Sequence, residues 1–73
     1  MSPLMLRQIW SLVETTQTQV LLSLDDDRLV QWLLRQLKAQ RSLDSHETHL
    51  FSAYIQSRLP LIRDLAQSRR AIV

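Results

Sequence analysis

No glycine occurs anywhere in these 73 residues. Hairpins and parallel-sheet folds use glycine where a turn needs a positive φ, so its absence argues against β architecture. Valine and isoleucine are sparse, while leucine, glutamine and arginine are plentiful. That balance suits helices. With 45% hydrophobic and 22% charged residues, the chain reads as globular and not as disordered.

The expectation is one helical domain over residues 1–73, and a thin one. A chain of this size buries only about 60% of the surface that its unfolded form exposes. Small domains often add disulfides, a metal or a partner subunit, and no cysteine is present. Self-association therefore enters early, and the lack of cysteine fits a reducing, cytoplasmic compartment. The net charge of +2, with eight of nine cations arginine, is too small a surplus to imply nucleic acid by itself. In "MSPLMLRQIW", Arg7 follows the first apolar residues instead of preceding an apolar run, so no leader is expected. No apolar stretch approaches the roughly 20 residues of a membrane span.

Periodicity predicts three helices. The first has Ser2 as N-cap and Pro3 at its first position. Met5, Leu6, Ile9, Trp10, Val13, Val20, Leu21 and Leu24 share one face, so one helix is expected to about Ser23, loosened at most at "ETTQTQ". "SLDDD" is read as turn and cap, because a calcium loop would need further oxygen ligands and a glycine turn. The second helix, about 26 to 41, buries Leu29, Val30, Leu33, Leu34 and Leu37. Asp44 and Glu47 are spaced as a capping box for a third helix starting near Ser45. Its inner face is expected to hold Leu50, Phe51, Tyr54, Ile55, Leu61, Ile62, Leu65 and Ala66, with a kink or break near Pro60. "QSRRAIV" is a basic end with a frayed tail. The fold expected is all-α: a compact antiparallel three-helix bundle, or a helical hairpin completed by dimerisation.

Motifs for chemistry are weak. "SHETH" has the spacing H-E-x-H and not the H-E-x-x-H of zinc proteases, so His46 and His49 are read as solvated first-turn residues and no metal site is assigned. No serine, histidine and carboxylate arrangement and no phosphate-cradling glycine loop is recognisable. No enzyme activity, cofactor or small-molecule substrate is expected, since so small a bundle leaves little room for a concave pocket.

Trp32 is the anomaly. It falls roughly 130° from the centre of its helix's apolar stripe, between Arg28 and Arg35. Either it is a rim residue packing on a neighbouring helix, or it forms a docking surface with Arg28, Arg35 and Gln36, since Trp and Arg are enriched at interface hot spots. Arg58 is the second anomaly, lying on the wheel among Phe51, Tyr54, Ile62 and Leu65. Either the Pro60 kink or a snorkelling stem brings it to water, or it pairs across an interface with a carboxylate such as Glu47 of another copy.

Two further partners are weighed against that surface. Nucleic acid would use Arg28, Arg35, Lys38 and Arg41, but the last two rotate away and Asp25–Asp27 would sit beside any phosphate track. Membrane-surface binding is disfavoured by the nearly neutral Arg7, Gln8, Ser11 and Glu14 on the first helix. At "LVQWLLRQLKAQRSL" and "YIQSRLPLIRDLAQSR" the chain resembles short all-helical cyanobacterial proteins without assigned chemistry. That resemblance implies a cytoplasmic or peripheral accessory role and carries no site residue. The expectation is a non-catalytic interaction module, an adaptor, small regulator or assembly factor, docking a protein or itself through Trp32, Arg28, Arg35, Gln36 and Arg58. A nucleic-acid-associated regulator is the alternative.

Overall fold

The computed structural model describes residues 2–71. They form four helices: α1 (Pro3–Thr15), α2 (Thr18–Ser23), α3 (Asp26–Gln40) and α4 (Ser45–Ala71), with no strand among the described residues. The frayed tail expected at the end of the chain lies outside the described residues.

Three helix starts follow from short polar residues. Ser2 Oγ accepts the Met5 N–H at 3.2 Å, with Pro3 at the first helical position. Asp25 Oδ1 accepts the Arg28 N–H at 2.8 Å. Asp44 and Glu47 close a reciprocal box: the Glu47 N–H donates to Asp44 Oδ1 at 2.7 Å, and the Asp44 N–H to Glu47 Oε1 at 3.4 Å. The acid run "DDD" is thus cap and first turn of α3.

The single helix expected to about Ser23 is in fact two. Thr16 and Gln17 are extended, with ψ of 140° and 137°. The Thr15 hydroxyl turns back onto Ser11 and Leu12 carbonyls, and Thr16 Oγ1 donates to Leu12 O at 2.7 Å. Such side-chain bonds compete with the amides of a continuing helix. The apolar phase carries across the break because Val13 and Leu21 enter one core. Phase alone does not report continuity.

Among the described residues none has a positive φ, so no helix ends in a left-handed cap. Two arginines of α4 do that work for α1 and α2. Arg69 donates to Val13 O at 3.0 Å and Thr16 O at 3.1 Å. Arg63 donates to Leu21 O and Leu24 O, both at 2.9 Å, and to Asp26 Oδ1 at 2.8 Å. A cation at a helix C-terminus also meets the negative end of the dipole. At the far end, Arg41 donates to Glu47 Oε2 at 3.0 Å and to Gln8 at 3.3 Å. With α3 starting at Arg63 and ending at Glu47, α3 and α4 run antiparallel.

Of the kink or break expected near Pro60, the break is not found: α4 is one helix through it. Pro60 and Gln56 are both exposed, so the carbonyl that loses its amide donor faces the solvent side. The face of α4 is also rotated from the one expected. Its apolar residues come in doublets, and the core takes the second of each: Phe51, Ile55, Ile62 and Ala66, joined by Leu59. Leu50, Leu61 and Leu65, expected inside, are 36%, 46% and 43% exposed. Against these pack Ile9, Leu12 and Val13 of α1, Leu21 of α2 and the predicted set Leu29, Val30, Leu33, Leu34 and Leu37 of α3.

Arg63→Ala is expected to lower stability by about 2 kcal/mol, because it leaves two half-buried carbonyls without donors. Arg63→Lys should recover only part of that, lacking the forked geometry. Urea midpoints check both; a loss no larger than that of Arg58→Ala would mean that the cap contributes nothing. Pro60→Ala should stabilise by about 1–2 kcal/mol by the same assay, restoring an amide donor within α4.

Candidate interaction surface

Of the two readings left open for Trp32, the packing one is observed. Trp32 is half-buried and packs against the core, and it also floors an open groove of about 320 Å³ with Leu24, Asp27, Arg28, Gln31 and Arg35. Leu24 enters because the chain turns at the end of α2 and lays this residue beside α3. Of the predicted surface, the groove collects Trp32, Arg28 and Arg35. Gln36 is half-buried and is not among the lining residues.

The charges around the groove are loosely held. Arg28 Nε lies 3.8 Å from Asp25 Oδ2, with the side chains 79% and 68% exposed, so that pair is worth little. Arg35 is exposed and has no ion pair among the described residues. Lys38 is exposed, whereas Arg41 turns inward to Glu47 and Gln8. A phosphate track along α3 would therefore lack one of its four cations.

Arg58 does not join this surface. It is exposed, its guanidinium carbon 5.5 Å from the centroid of the Tyr54 ring. The apolar placement expected for it is corrected by the rotated face of α4. No buried cation needs a partner there, and Glu47, the acid expected from another copy, is already held by Arg41 and the Asp44 N–H. Tyr54 accepts the Trp10 indole N–H at 2.9 Å, the two rings meeting edge to face at 6.4 Å and 86°. Trp10 is thus tied by a polar contact that Trp32 lacks.

Two other open grooves exist, one of about 510 Å³ lined by Thr18, Gln19, Leu22, Ser23 and Arg70, and one of about 340 Å³ beside Pro60 and Arg63. Neither gathers an aromatic residue. His46 and His49 are exposed, and no group of three metal-ligating side chains occurs among the described residues. No helix among them is long and apolar enough to cross a membrane. No protein-family model, curated protein or solved structure matches the chain.

Trp32→Ala is expected to cost about 1–2 kcal/mol in urea unfolding, below the ~3–5 kcal/mol of a fully buried aromatic, with the far-ultraviolet circular dichroism unchanged. A variant that loses its helicity would place Trp32 in the core and remove it from the surface.

Proposed function

We propose that this chain is a non-catalytic protein-interaction module, an adaptor, small regulator or assembly factor, acting in a reducing compartment. It docks a protein, or another copy of itself, through the groove on α3. One observation carries the reading: a large aromatic side chain is left half-covered, flanked by two arginines that no strong ion pair holds. An indole with apolar surface still to bury, beside guanidinium groups able to stack or to pair, has the composition of an interface hot spot. Leu24 adds apolar floor, and Gln31 supplies a neutral polar edge.

The test is capture of binding proteins on immobilised wild-type chain and on Trp32→Ala, with repeats at rising salt. Wild type should retain a partner that the folded variant does not, and retention should persist as salt rises. Equal retention by both sinks the reading. A steep linear fall of log affinity with log salt would replace it with phosphate binding by Arg28, Arg35 and Lys38.

A further inference from the structure

The outer side of α3 carries a second pattern, opposite its core face. Asp25, Arg28, Trp32, Arg35 and Ala39 follow one another at intervals of three, four, three and four residues. That is the spacing of a coiled-coil seam, on which alternate positions interlock with those of a facing helix. All five side chains are exposed or half-exposed, and none belongs to the buried core cluster. The sequence of charges along the seam reads acid, base, aromatic, base, small.

In an antiparallel pair, layers form between positions whose residue numbers add to a constant, and the constant changes by seven when the register slips one heptad. One register pairs Asp25 with the copy's Arg35 and Arg28 with the copy's Trp32, each contact made twice by symmetry. Slipping by a heptad one way sets Trp32 against the copy's Arg35 but puts Arg28 against the copy's Ala39 and leaves Asp25 outside. Slipping the other way keeps only Asp25 against Arg28 and leaves Trp32 and Arg35 unmatched. Only the first register gives every charged seam residue a complementary neighbour, and it lays each indole face under a guanidinium. Gln31, on the edge of the seam, falls beside the copy's Gln31 near the two-fold axis. Asp25 Oδ1 stays on the Arg28 N–H as the cap of α3, while the loose 3.8 Å contact leaves Asp25 Oδ2 and the Arg28 guanidinium able to take new partners.

We infer that α3 is a self-association surface: two copies pack antiparallel along 25–28–32–35, with Trp32 on the copy's Arg28 and Asp25 on the copy's Arg35. This rests on the proposed docking role of the groove and names its occupant as a second copy. The fifteen residues of α3 span only about 22 Å, so the dimer belongs to the small, concentration-dependent class of interfaces.

The absence of cysteine makes a site-specific test simple. Gln31→Cys should oxidise to a disulfide-linked dimer, whereas Gln56→Cys, on exposed α4 surface, should not. Light scattering during size-exclusion chromatography should show a wild-type monomer–dimer equilibrium that shifts with concentration. Arg35→Glu should weaken dimerisation about tenfold or more and suppress the Gln31→Cys cross-link. Asp25→Asn keeps a good helix cap while removing the charge, and should weaken it too, so a failure to fold does not decide the result. A chain that stays monomeric at every concentration, equal cross-linking at both cysteines, or a dimer indifferent to Arg35→Glu overturns the inference. A monomer that still captures another protein through Trp32 would overturn it while leaving the docking role intact.

Discussion

Each helix end leaves carbonyls without intrahelical donors, and in this protein arginines of α4 reach such carbonyls at the ends of both α1 and α2, beside the local threonine bonds that close α1. The usual local device, a glycine in the left-handed region, is missing from a chain with no glycine. Arg63 and Arg69 replace it with planar forks that each reach two carbonyls. The same bonds tie two early helices to the last one. Arg63 adds Asp26, so one side chain holds the end of α2, the start of α3 and the body of α4 together. Stopping the helices and packing them are therefore one event, not two.

That arrangement also explains why α4 has to be long and unbroken. It must carry Glu47 at one end, to receive Arg41, and Arg69 near the other, to reach Thr16. Pro60 lies between them on the wet side, where water can take the place of the missing amide. The buried side is continuous from Phe51 to Ala66.

Much of this was legible in the residues. The helical class, the caps at Ser2, Asp25 and Asp44, and the core face of α3 follow from local rules that act within one turn. What was not legible depends on long-range partners. The break at Thr16–Gln17 is supported by an arginine 53 residues away, which no local pattern announces. On α4, doublets such as Leu50–Phe51 and Leu61–Ile62 left the angular position of the core face ambiguous by one residue, and tertiary packing chose the second of each. That one-residue rotation also moves Arg58 from an apparent core position to the surface, where its guanidinium lies over the Tyr54 ring. Trp32 was legible as an anomaly from its position opposite the stripe. Leu24 as its neighbour was not, because a residue in a turn has no face until the turn is built.

The distribution of caps has a consequence for the order in which the chain becomes itself. During synthesis the first 44 residues emerge before any of α4, carrying the helix formers of α1 and α2 but neither arginine that terminates them. The nascent segment has local signals to begin helices and only the two threonines to punctuate the first of them. The boundary between α1 and α2 is thus written near the start of the chain and ratified from near its end.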